Sequence, residues 1–82
     1  MRKIAWSERA RTDIRSLDRD TAMRIFAALH RFAEIGEGDV RKLKGESSEL
    51  RLRVGDYRIR FTEEPGDILH IHSVRHRKDA YR

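Results

Sequence analysis

Hydrophobic spacing changes period near the middle of the chain, and the change separates two kinds of element. Ala10, Ile14 and Leu17 fall at i, i+4 and i+7, one face of a helix, while Arg9, Arg11, Asp13 and Arg15 point elsewhere. Ser7 stands just ahead as an N-cap with Glu8 in the first turn, so the spacing predicts a short helix from there. A second N-cap signal at Asp18 to Asp20 precedes a wider stripe: Ala22, Ile25, Phe26, Leu29, Phe32 and Ala33. Gly36 is a natural C-cap. The first half is therefore expected to hold two helices as an antiparallel hairpin. Ahead of them Ile4 and Trp6 alternate as in a short strand, and Trp6, Phe26 and Phe32 are expected in the core.

In the second half the period becomes two. "ELRLRV" and "YRIRFT" alternate, and "DILHIHSV" is an apolar run with two polar interruptions. Gly55-Asp56 suits a two-residue hairpin loop with glycine at the first central position of a type II′ turn. "EEPGD", Glu63 to Asp67, is a second turn signal. The order strand, helix, helix, strand, strand, strand reads as α+β: two N-terminal helices on one face of a small, mainly antiparallel sheet. With 82 residues the expectation is a single domain over 1–82.

The hairpin "LRLRVGDYRIRF" has a consequence for charge. With Gly55 and Asp56 as its loop, Val54 pairs with Tyr57, Arg53 with Arg58, Leu52 with Ile59, Arg51 with Arg60 and Leu50 with Phe61. The apolar residues of both strands then share one face and the arginines share the other. Like charges directly opposite cost roughly a few tenths to 1 kcal/mol per pair. Either the stems cover apolar surface while the heads splay into water, or the face receives an anion. Lys42 and Lys44 before the hairpin, and Arg75, Arg77, Lys78 and Arg82 after the last strand, favour the anion.

Composition sharpens that choice. There are 19 Lys+Arg against 14 Asp+Glu, a formal net charge of +5, which points to nucleic acid, an anionic membrane surface or an acidic partner. Charged residues reach 40%, close to a disordered composition, but the periodic segments and single proline argue for a folded domain. No cysteine is present, which excludes disulfides and thiolate chemistry. No signal peptide, lipidation motif or long apolar run is visible, so a cytoplasmic protein without membrane contact is expected.

Few residues offer other chemistry. His70 and His72 share a strand face, but no third ligand of suitable type accompanies them, and neither metal nor cofactor is expected. His76 suits a phosphate donor or acid–base group, and equally a structural hydrogen-bonder. Glycine-rich phosphate loops, metal-binding HExxH and a Ser/His/Asp arrangement are absent, leaving catalysis to arginine, lysine, histidine and tyrosine.

"WSERARTDIRSL" after a short strand, a second helix, then "VRKLKG", "ELRLRVGDYRIRF" and "HSVRHRKDAYR" together resemble the RelE/ParE superfamily of bacterial toxins from type II toxin–antitoxin systems. The similarity covers essentially the whole chain and implies the same RelE-like α+β fold. It also implies an antitoxin partner. RelE-like members are mRNA interferases that cut messenger RNA in the ribosomal A site without a metal, by attack of the ribose 2′-hydroxyl on the adjacent phosphate. On this branch the partners would be the ribosome with its mRNA and rRNA. ParE-like members, the alternative, inhibit DNA gyrase.

Mapped by motif, the resemblance places Arg51, Arg58, Arg77 and Tyr81 at catalytic positions. Lys42, Lys44, Arg53, Arg60, His76 and Lys78 become candidates for holding RNA. There is one departure: Glu49, two before Arg51, stands where some RelE-like enzymes carry a second lysine. Arginine does not readily accept a proton, its pKa exceeding about 12. The base is therefore unassigned, with Tyr81 first in line if neighbouring cations lower its pKa, and His76 and Lys44 in reserve.

Overall fold

The structure, a computed structural model, describes residues 1–42 and 48–80. Its elements are β1 (Lys3–Trp6), α1 (Glu8–Arg15), α2 (Arg19–Ile35), β2 (Asp39–Lys42), β3 (Leu50–Val54), β4 (Tyr57–Glu64), β5 (Ile68–His76) and α3 (Arg77–Ala80). The sheet runs β1-β5-β4-β3-β2, antiparallel except where β1 lies parallel to β5. This is the expected α+β architecture with two elements added. β2 is only four residues long, too short to display a period, and α3 is a single turn on the basic tail.

Both main helices begin where a side chain satisfies their first N–H groups. The Ser7 hydroxyl accepts from the Ala10 N–H at 3.0 Å and donates to the His72 carbonyl at 3.0 Å, so one cap also ties α1 to β5. Asp18 accepts from the Thr21 N–H at 3.1 Å and the Thr21 hydroxyl at 2.6 Å. These bonds from Thr21, the hydroxyl's first, hold the Asp18 carboxyl below its ordinary value of 3.8. Gly36 closes α2, as its position after the apolar stripe predicts.

The core lies between the helices and one face of the sheet. Ala10, Ile25, Leu29, Phe32 and Ala33 pack with Leu52, Ile59, Phe61, Leu69, Ile71 and Val74. Phe32 meets Phe61 edge to face at 5.4 Å. Trp6 and Phe26 depart from expectation: they touch edge to face at 5.5 Å but stay half-buried, lining a groove of about 560 Å³ between β1 and α2. Gly38 brings the chain over this core so closely that a Cβ there would stand 2.9 Å from Leu52 Cδ1.

The hairpin register is the one counted from the sequence, Arg53 opposite Arg58 and Arg51 opposite Arg60. Gly55 takes φ +57 while Asp56 does not enter positive φ, as a type II′ turn requires. β5 is less regular. Arg60 pairs with Ser73 but Phe61 pairs with Ile71, so His72 is an extra residue in a β-bulge. The bulge exchanges the faces of everything after it: Val74 turns inward, while Ser73 and Arg75 join the arginines. β1 stops alongside Ile71, and α1 takes over the exposed edge. The Val74 N–H donates to Asp13 Oδ2 at 2.9 Å, so no strand is needed there.

Candidate nucleic-acid interface

Alternation with the buried residues puts the arginines on the sheet face that no core residue of α1 or α2 reaches. Register then orders them in two rows across the strands. One row is Arg41, Arg51, Arg60 and Ser73; the other is Asp39, Arg53, Arg58 and Arg75. Arg75, expected among the cations that gather with the hairpin, joins this surface, and Arg41 is the member that sequence reasoning missed. Arg75 reaches it only because of the bulge, whose signal was the adjacent polar pair His72-Ser73 interrupting the apolar alternation. Arg41 needed β2.

The arginines differ in their surroundings. Arg53 and Arg60 are exposed, Arg51 and Arg58 half-buried. Arg60 Nη2 holds Glu49 through both carboxylate oxygens, Oε1 at 2.7 Å and Oε2 at 2.9 Å. Glu49 thus offsets part of the charge at the start of β3. Arg51 Nε and Ser73 Oγ are buried and find no hydrogen-bond partner among the described residues. Unsatisfied donors beside fixed cations are what an incoming phosphate oxygen would complete.

The other expected site residues are distributed unevenly. Arg77 and Lys78 lie exposed on α3, and the Arg77 N–H donates to the Asp56 carbonyl at 2.7 Å, tying α3 to the hairpin turn. Lys42 sits opposite Leu50 and so on the other side of the sheet from the arginines. His76 is also turned away by the bulge. Its ring meets Tyr57 edge to face at 5.2 Å and its Nδ1 accepts from the Lys78 N–H at 3.2 Å, the structural arrangement of the two anticipated. Lys44 and Tyr81 lie outside the described residues.

His70 and His72 do share a face, their rings 4.4 Å apart. His72 Nε2 is 2.8 Å from Thr62 Oγ1, and His70 Nδ1 is 3.2 Å from Glu64 Oε2. Among the described residues no cluster of three or more metal-ligating side chains occurs, and no helix is long and apolar enough to cross a membrane. Chemically the face can bind phosphate and stabilise extra negative charge on it. Guanidinium alone cannot take up a proton.

The family model described as ParE toxin of type II toxin-antitoxin system, parDE, matches residues 4–81. No protein of curated function matches the sequence. Among solved structures, the RelB-RelE antitoxin-toxin complex from Methanococcus jannaschii superposes with a TM-score of 0.78 at 24% identity, covering 94% of each chain. The isolated E. coli RelE toxin gives 0.76 at 16% identity, covering 99% of this chain and 96% of that one. YafQ from E. coli gives 0.67 at 12% identity over the whole of both chains. At these identities the likeness establishes the fold.

Proposed function

Because the chain belongs to the ParE toxin family of type II toxin–antitoxin systems, we propose that it acts as a metal-free endoribonuclease on ribosome-bound message. The observation that carries this reading is the pair of arginine rows on an uncovered sheet face. Across-strand repulsion makes such a face costly to fold, and an RNA backbone is the ligand that relieves it. Arg51 and Arg58, half-buried at the centre of the rows, would stabilise the dianionic phosphorane; Arg77 and Tyr81 would act from the C-terminal segment. Arg53, Arg60 and Lys78 would hold the flanking backbone. Lys42 and His76, turned to the other side, would act there only if RNA wraps the sheet edge.

An antitoxin is the expected protein partner. The groove lined by Ile4, Trp6, Phe26 and Leu29, together with Met1, Arg2, Lys3 and His30, would take one face of an amphipathic helix. A second reading is favoured by the family description itself: inhibition of DNA gyrase without nuclease action. Two assays run side by side separate them. Translation-dependent cutting of a message with gyrase supercoiling unaffected supports the first reading. Blocked supercoiling with the message intact supports the second and refutes the first.

A further inference from the structure

We propose that Glu49 and His72 are the proton-transfer pair of the cleavage, Glu49 accepting from the 2′-hydroxyl and His72 donating to the leaving oxygen. This rests on the endoribonuclease reading above. The need is chemical: 2′-hydroxyl attack requires a proton acceptor, and a surface of guanidinium groups provides none.

Glu49 precedes Arg51 by two residues and so projects to the arginine face. Its side chain is 15% exposed, and both of its oxygens contact Arg60 Nη2. A guanidinium has further N–H donors on its other two nitrogens. Arg60 can therefore hold the carboxylate with one corner and a phosphate oxygen with another, setting base and reacting phosphate side by side. Thr62 stands two residues beyond Arg60 on β4, on the same face of the strand. Thr62 in turn fixes the His72 ring, Oγ1 to Nε2 at 2.8 Å.

His72 is aimed there by the bulge, a device that recurs where a strand must redirect a side chain beside a reaction centre. A carboxylate and an imidazole thus stand on either side of the Arg60–Thr62 segment. Among the described residues, the charged and titratable groups facing them are Arg51 on β3, Arg41 on β2, Arg60 and Glu64 on β4, and His70 on β5.

The Glu49 carboxylate takes the proton of the 2′-hydroxyl as that oxygen bonds to phosphorus. The P–O5′ bond then breaks, and the His72 imidazolium gives its proton to O5′. The products are a 2′,3′-cyclic phosphate and a 5′-hydroxyl, with Glu49 protonated and His72 neutral until both exchange with water.

The test is single-turnover cutting of a message on programmed ribosomes, followed from about pH 5 to pH 9, for the wild type, Glu49→Gln and His72→Asn. Glu49→Gln still offers Arg60 an oxygen, so a merely positioning role predicts near-wild-type cutting. The proton-transfer role predicts a rate loss of about 10²- to 10⁴-fold for each variant. It also predicts that Glu49→Gln lowers the rate across the whole range, while in His72→Asn the rate no longer falls toward alkaline pH. Should Glu49→Gln melt early, Glu49→Asp is the check: cutting well above that of Glu49→Gln supports the role and cutting no faster overturns it. Undiminished cutting in either variant, beside an active wild type, overturns the pair and leaves the endoribonuclease reading standing. A wild type that does not cut overturns both.

Discussion

On one face of the sheet Leu52, Ile59, Phe61, Leu69 and Ile71 are sealed beneath α1 and α2; on the other, Arg41, Arg51, Arg53, Arg58, Arg60 and Arg75 stand in rows that also hold Asp39 and Ser73. The same strands build both faces, one residue apart. Burial on the inner face stabilises the fold through apolar area removed from water, about 25 cal/mol per Å². The outer face returns nothing comparable, and its directly opposed arginines work against folding. A small domain with a modest core keeps such a surface only if the surface has a use. Stability and activity should therefore separate cleanly between the two faces.

The harshest way to break that comparison is Phe61→Ala. Phe61 is 0% exposed and packs on Phe32. The loss is expected at about 3–5 kcal/mol, the whole of the on-the-order-of 3–5 kcal/mol that one small core supplies. Thermal melting by circular dichroism should show no cooperative transition. Next comes Asp13→Ala, which strips the acceptor from the Val74 N–H where β5 has lost its strand neighbour. Leaving that buried donor unpaired should cost about 1–3 kcal/mol in urea melts.

Arg53→Ala sharpens the other side of the contrast. Its stability should change by no more than about 0.5 kcal/mol, or improve slightly as repulsion from Arg58 is relieved. RNA binding should weaken, with the slope of log K against log salt falling by about one. A variant that unfolds the protein while leaving the salt slope intact would contradict the division of labour between faces.

The smallest effect belongs to Asp18. Its carboxyl sits below its ordinary value in the fold, so its contribution is fully present above the unfolded carboxylate range and is lost as pH falls through the lowered folded value. Asp18→Asn retains a capping oxygen and should flatten only this acid-side segment of the stability curve. Since the group is fully exposed, salt screens much of the effect.

The hairpin was the most legible part of the chain because its two strands carry independent alternations that agree in only one register. The helix starts at Ser7 and Asp18 were equally readable, since a cap is a local hydrogen bond. The bulge was harder. A single extra residue inverts every later side chain of β5, and period-two counting assumes no such insertion. That inversion sets Arg75 in the arginine rows and turns His76 onto Tyr57. β2 and α3 were missed for a different reason: four residues with one apolar position carry no measurable period. The Glu49–Arg60 pair depends on which carboxylate reaches which arginine, and side-chain reach is invisible in strand spacing.

The central claim is that the open arginine face cuts RNA. Primer extension along a message undergoing translation tests it most directly, comparing the wild type with the combined Arg51→Ala, Arg58→Ala variant at equal folded concentration. The account predicts discrete stops within ribosome-bound codons for the wild type, lost in the variant while its melting curve is unchanged. An intact message with the wild type, or the same stops at the same rate with the variant, would contradict it.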